Sequence, residues 1–150
     1  MSSLTFTRVA DEVTARAWLQ VHNEIIPTDP LSLEQAVRRS TVNALDVAHL
    51  GGTVVGCSTV RPANDEDQVT VIVRILPAFR RQGLGSEYLV HALAQARDLD
   101  AVDIQTIVLA SNTEGLAFAL HRGFVETERY YLPGATIPYI HLARPLTDVP

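Results

Sequence analysis

Residues 71–85 read Val-Ile-Val-Arg-Ile-Leu-Pro-Ala-Phe-Arg-Arg-Gln-Gly-Leu-Gly, a β-branched run stopped at Pro77 and followed by glycines at 83 and 85. The run begins at Gln68 and includes Val69, Val71, Ile72, Val73 and Ile75, so residues 68–76 are expected as a strand. Beyond the glycines, Leu84, Tyr88, Leu89, Ala92, Leu93 and Ala96 fall on one face of a helix over residues 83–97. A strand, a glycine turn and a helix start suit phosphate binding. Glycine lets the backbone approach an anion, and the first free N–H groups of the helix point at it, aided by the helix dipole. Arg80 and Arg81 stand beside that end and can add charge-assisted hydrogen bonds.

Two better-known phosphate motifs fail here. A P-loop needs a lysine after its last glycine, and none follows; a dinucleotide fingerprint needs a third glycine at position 88, where Tyr88 stands. On these residues alone, a plain glycine turn is the favoured reading.

Working outward, residues 4–10 alternate as a strand, and Val13, Ala17, Val21 and Ile25 repeat every four residues as a helix over 13–25, ended by Pro27 and Pro30. A short helix is expected over 31–39 with Leu33, Ala36 and Val37 inward. Strands over 46–50 and 53–60 meet at Gly51-Gly52, a hairpin signal. A strand over 103–110 has an apolar end that suggests burial on both faces. Residues 111–122 form a helix with Ser111 and Glu114 as a capping box, closed by Gly123. Strands over 124–132 and 137–146 finish the chain, parted by Pro133-Gly134. The expectation is one three-layer α/β domain over residues 1–150, with a mixed, mostly antiparallel sheet of about seven strands flanked by about four helices.

With 47% hydrophobic and 19% charged residues, the 150-residue chain has the composition of one globular domain. A net charge of -5 argues against a nucleic-acid or anionic-membrane binder, which needs a broad basic face. Cys57, the single cysteine, lies in an apolar stretch and reads as a small core residue. No apolar run approaches membrane-spanning length, and no basic-then-apolar leader stands at Met1-Ser2-Ser3-Leu4, so a soluble, cytoplasmic setting is expected. His22, His49, His91, His121 and His141 occur singly, without ligand spacing, so no metal is expected. Trp18 reads as a core residue of the first helix.

A second block completes the pattern: Asn112, then Phe118, Leu120, and Gly123-Phe124 after eleven residues. Together the two blocks and the element order over residues 4–146 resemble the Gcn5-related N-acetyltransferase (GNAT) family. That resemblance implies a central pair of parallel strands, residues 68–76 and 103–110, splayed to admit acetyl-CoA. The backbone of Ile75 and Leu76 would then pair with the pantetheine arm. Arg80, Arg81, Gln82, Gly83, Leu84, Gly85 and Ser86 would wrap the pyrophosphate, and Asn112, left free by Ser111 as the cap, would reach the pantetheine or acyl region.

The implied reaction is direct attack of a primary amine, on a small molecule or peptide, on the thioester, with an N–H near Ile75 holding the oxyanion. Carboxylates at the start of the central strand commonly serve as base, which points to Asp67 and then Glu66. A tyrosine usually stands four residues before Gly-Phe to protonate the thiolate, and here that position is Ala119. Tyr130 and Tyr131 are the substitutes considered, since alternation turns one of them to the cleft; Ser111 is a weaker one. His121 projects to another side of its helix. A thiol with pKa about 8.5 also leaves tolerably as the thiolate.

Acceptor selection would fall to residues 24–34, which are acidic, and 130–139, which are aromatic; together they suggest a cationic amine. A homodimer paired through the last strands is a further expectation from the resemblance. The competing expectation is a CoA-binding sensor or interaction module of little activity, favoured by Ala119.

Overall fold

A computed structural model describes residues 3–146. In chain order the elements are β1 (Leu4–Arg8), α1 (Glu12–Ile25), α2 (Leu33–Val42), β2 (Ala44–Leu50), β3 (Thr53–Val60) and β4 (Gln68–Ile75). After these come a 3₁₀ turn (Pro77–Phe79), α3 (Leu84–Asp98), β5 (Asp103–Leu109), α4 (Thr113–His121), β6 (Val125–Tyr130) and β7 (Tyr139–Pro145). One seven-stranded sheet runs in the order β1-β2-β3-β4-β5-β7-β6. All neighbours are antiparallel except β4 and β5, which run parallel and are paired only from Gln68↔Asp103 to Thr70↔Gln105.

Alternation along the strands sends apolar residues to both faces, and each face is covered by helix. On one side α3 buries Leu84, Tyr88, Leu89, Ala92, Leu93 and Ala96, all six residues of the expected stripe. Below them lie Val69, Val71, Ile104, Val108, Ile140 and Leu142. On the other side α1 packs against Leu45, Val47, Cys57 and Leu109. Its inward stripe is Ala15, Trp18, Val21, His22 and Ile25. Val13, expected inward, is 76% exposed because the helix starts under an Asp11–Thr14 capping box, with Val13 in its first, solvent-facing turn. Val37 of α2 is likewise exposed, and Ala36 alone is buried there.

Both helical layers are pinned to β3 at Ser58. Tyr88 Oη donates to Ser58 Oγ (2.7 Å) from the α3 side, and Trp18 Nε1 donates to the Ser58 carbonyl (3.0 Å) from the α1 side. Beside them Asp46 is buried at 3% exposure and collects Arg8 Nε (2.5 Å), Gln95 Nε2 (3.1 Å) and His91 Nε2 (3.1 Å). Asp46→Ala leaves these groups without their acceptor and is expected to cost about 2 kcal/mol. Arg8→Ala removes only a half-exposed partner and should cost under about 1 kcal/mol. Denaturant midpoints of the two variants check the order.

Candidate functional site

The site begins where β4 and β5 part. Arg61 N–H bonds to the Thr70 carbonyl and Leu76 N–H to the Val55 carbonyl, so the even-numbered residues of β4 turn their backbone groups toward β3. The odd-numbered ones turn toward β5, but pairing with β5 stops at Thr70↔Gln105. Val73 and Ile75 therefore direct their N–H groups into a widening gap. Leu76 presents no free group there, because its N–H is held by β3 and its carbonyl accepts from Phe79 N–H. Of the expected pair, only Ile75 faces the gap. Its carbonyl accepts from Arg80 Nε (2.8 Å).

A cavity of about 440 Å³ opens above the parting, walled by β4, β5, the start of α3 and the inner face of α4. The first hydrogen bond of α3 runs from Glu87 N–H to the Gly83 carbonyl, which leaves the N–H groups of Leu84, Gly85 and Ser86 without a helical partner. Gly83, at φ +80°, and Arg81, at φ +63°, are both left-handed and turn the chain into the helix. Gly85 is needed for closeness: a Cβ there would come within 3.2 Å of the Phe118 ring. Arg80, Arg81, Gly83, Gly85, Ser86 and Asn112 line the cavity, while Gln82 is exposed and Leu84 is buried against β1–β3. Arg122 of the α4 end donates to Ser86 Oγ and lies over the Phe118 ring, 4.5 Å from its centroid.

Glu114 bridges both cations, 3.2 Å from Arg80 Nη1 and 3.3 Å from Arg81 Nε. It is therefore not the partner of a Ser111 capping box. Asn112 is the cap, its Oδ1 accepting from Gly115 N–H at 3.1 Å, because Asn112 N–H closes a turn on the Leu109 carbonyl and starts the helix one residue later than expected. The same side chain lines the cavity, so it serves the helix and the wall together.

The expected acid-base residues do not gather here. Glu66 and Asp67 occupy an exposed turn at the opposite end of β4 from the glycine loop, where the Asp67 carbonyl accepts from Val102 N–H. Tyr131 is 57% exposed. Tyr130 stacks on Tyr139 (5.7 Å) and edge-on to His141 (5.0 Å) on the α1 side of the sheet. Ala119 faces the cavity and is 5% exposed, which confirms that no hydroxyl stands at that position, and His121 sits exposed at the rim.

At the vertex a polar set appears that the single histidines did not announce. Gln105, the last residue of β5 paired with β4, places its amide nitrogen 3.5 Å from Thr70 Oγ1 and 3.1 Å from His141 Nδ1. His141 Nε2 is buried without a partner. Burial lowers the His141 pKa, so the ring is neutral near pH 7. Arg74 was the missed signal in the sequence: the one charged residue of β4, set among β-branched apolar neighbours. Burial pushes the Cys57 thiol up to about 12, consistent with a core residue and not a nucleophile.

Residues 12–124 match the model of the acetyltransferase (GNAT) family. The chain belongs to that family. A mycothiol acetyltransferase from Rothia mucilaginosa is 35% identical over 103 residues, 63% of this chain but only 29% of that longer protein. A putative phosphinothricin N-acetyltransferase superposes with a TM-score of 0.80 at 22% identity, covering 97% of this chain and all of that one. A putative acetyltransferase from Salmonella typhimurium, solved with its cofactor acetyl-CoA, gives 0.73 at 16% identity over 99% of this chain and 97% of that one. The parted strands, the glycine loop and α4 are thus the parts of a GNAT fold. Among the described residues no helix is long and apolar enough to cross a membrane.

His22, at 4% exposure beneath this face, has its pKa lowered to about 4 by burial and then by Arg74. The unfolded chain takes up that proton near pH 6.5, so His22 favours folding above that value and loses the contribution as pH falls to about 4. The loss is expected to reach about 3 kcal/mol at most. Unfolding free energies from pH 7 to 4 should fall less steeply in His22→Asn.

Proposed function

We propose that this protein transfers an acetyl group from acetyl-CoA to a primary amine in a ternary complex. The observation that carries the reading is the pair of unpaired N–H groups, Val73 and Ile75, leading straight to the glycine loop at the head of α3. Buried N–H groups left unbonded are costly, and a chain of amides laid beside β4 satisfies them as an added strand does. The pantetheine arm has amides, and it ends in a pyrophosphate. The loop supplies three free helix N–H groups, two arginines and the close Gly85–Phe118 approach; Gln82 and Leu84 contribute backbone only. Glu114 must yield its two arginines to the phosphates.

In the transfer, the amine nitrogen bonds to the acetyl carbon as the carbon–sulfur bond breaks, and the ammonium loses a proton. The Ile75 N–H is directed where an oxyanion would form, a contribution of about 3 kcal/mol in comparable sites. For the proton, His141 replaces Asp67 and Glu66 in this reading. As the amide stands, Gln105 Nε2 donates to Nδ1 and the ring proton is on Nε2; reversing the Gln105 amide, so that its oxygen accepts from Nδ1–H, frees the Nε2 lone pair to accept the proton. The departing sulfur leaves as thiolate, since neither Ala119 nor its neighbours offer an acid.

A sensor that binds CoA without turnover is the second reading, and Ala119 favours it. Thiol release with acetyl-CoA and an amine panel separates the two. Arg80→Ala is expected to weaken acetyl-CoA binding about tenfold or more, one charged hydrogen-bonding group being worth roughly 1.5–3 kcal/mol. His141→Asn should lower kcat about tenfold to a hundredfold while leaving acetyl-CoA binding intact. Binding without thiol release from any amine would decide for the sensor.

A further inference from the structure

The twelve basic residues are all arginine, and six of them, Arg8, Arg16, Arg38, Arg80, Arg81 and Arg129, are ion-paired with a carboxylate. Arg122 and Arg144 donate to a hydroxyl and a carbonyl. Among the described residues Arg39, Arg61, Arg74 and Arg97 have neither; of these Arg61 and Arg74 share one face, where Arg74 meets only the Cys57 thiol. Arg74 lies opposite Cys57, and Arg61 N–H pairs with Thr70, so both side chains project to the α1–α2 side, on which Cys57 is buried. Both are partly buried, and Arg74 lines the cavity.

Their surroundings concentrate positive charge. After burial, the nearby charges that disfavour protonated Arg61 are Arg39 and Arg74, and Arg74 in turn senses Arg39. The nearby acidic residues make no ion pair with these arginines: Asp29 Oδ2 accepts from Tyr139 Oη at 3.0 Å, and Glu128 is exposed. Among the described residues no carboxylate lies within 4 Å of Arg39, Arg61 or Arg74. Partly buried guanidinium groups set together without a counter-charge are unfavourable unless an anion joins them. Tyr130 and Tyr139, stacked on each other, lie near Arg61 and Arg74 respectively.

From this, and resting on the acetyl-transfer reading above, we infer that the acceptor is a small amino acid whose carboxylate is held by Arg74 and Arg61. Arg74 stands on β4 between Val73 and Ile75, the two residues whose N–H groups face the gap. A carboxylate seated on Arg74 therefore holds the amine of the same molecule within one residue's length of the acetyl carbon's expected place. Arginine suits this task because its planar fork meets a carboxylate with two parallel bonds. The acidic stretch at residues 24–34, which suggests a cationic acceptor in the sequence, contributes Asp29 to a tyrosine and not to the cavity wall.

The test compares amino acids with their amides and decarboxylated amines, using wild type, Arg74→Gln, Arg74→Lys and Arg61→Gln. Thiol release is followed with acetyl-CoA, and melting temperature is followed with each compound on the acetyl-CoA-loaded protein. The inference expects turnover of the carboxylated member of a pair, with KM for it raised tenfold or more in Arg74→Gln, partly restored in Arg74→Lys, and acetyl-CoA affinity unchanged. Arg61→Gln, which removes the second cation, is expected to raise KM for the same compound severalfold, and an unchanged melting temperature of each free variant guards against a folding defect. Equal turnover of amides or cationic amines overturns the carboxylate site and leaves acetyl transfer standing. A melting shift by amino acids that disappears in Arg74→Gln, without thiol release, upholds the carboxylate site and overturns the transfer. Neither shift nor turnover from any carboxylated compound overturns the inference.

Discussion

Two parallel strands that stop pairing after three residues leave backbone groups with nothing to bond, and the rest of this molecule is arranged around that break. Had β5 followed β4 to its end, Val73 and Ile75 would be ordinary members of a ladder. Instead β5 turns to β7, which accompanies it along its whole length. The glycine loop lies at the head of the break, α4 closes its roof, and a polar trio of Thr70, Gln105 and His141 sits at its vertex.

Much of this was legible in the chain. The six-residue stripe of α3 and the Gly51-Gly52 hairpin were correctly placed because each rests on a strong local signal, a sustained period or a turn that only glycine favours. The glycine loop and Asn112 stand out by motif spacing, and the fold gathers Arg80, Arg81, Gly83, Gly85, Ser86 and Asn112 around one cavity. What stayed hidden depends on partners distant in the chain. Ser111 and Asn112 both suit a helix cap, and only the bond from Asn112 N–H to Leu109 decides between them. Glu114 reads as a cap partner until the fold brings Arg80 and Arg81 beside it, about thirty residues away in sequence. Leu76 falls in the right strand but points its N–H the wrong way, a parity that only pairing with β3 reveals. Asp67 was chosen by distance along the chain from Pro77, yet that distance runs the length of β4 and away from the gap.

The charge of the two cleft walls also differs in kind. On the α3 side, arginines are matched: Glu114 holds two, and Ser86 and the Arg122 carbonyl satisfy others. Toward α1 and α2, arginines stand together with no carboxylate in ion-pair reach among the described residues, and burial holds neighbouring His22 neutral down to about pH 4. A net charge of -5 for the whole chain conceals this local excess of positive charge, which is why bulk composition gave no hint of it.

The short pairing of β4 with β5 also has a mechanical meaning. It divides the sheet into two plates, β1–β4 and β5–β7, joined at one corner. Helix α3 rides mainly on the first plate and reaches over Ile104, Val108, Ile140 and Leu142 of the second, on which α4 also packs. The Glu114 bridge to Arg80 and Arg81 is therefore a clasp across a seam, and it ties the plates at the end farthest from the corner. Any anion that takes those arginines from Glu114 undoes one tie and, by touching both plates, makes another. Stiffness across the middle of this protein is thus set by what occupies the same few nitrogen atoms.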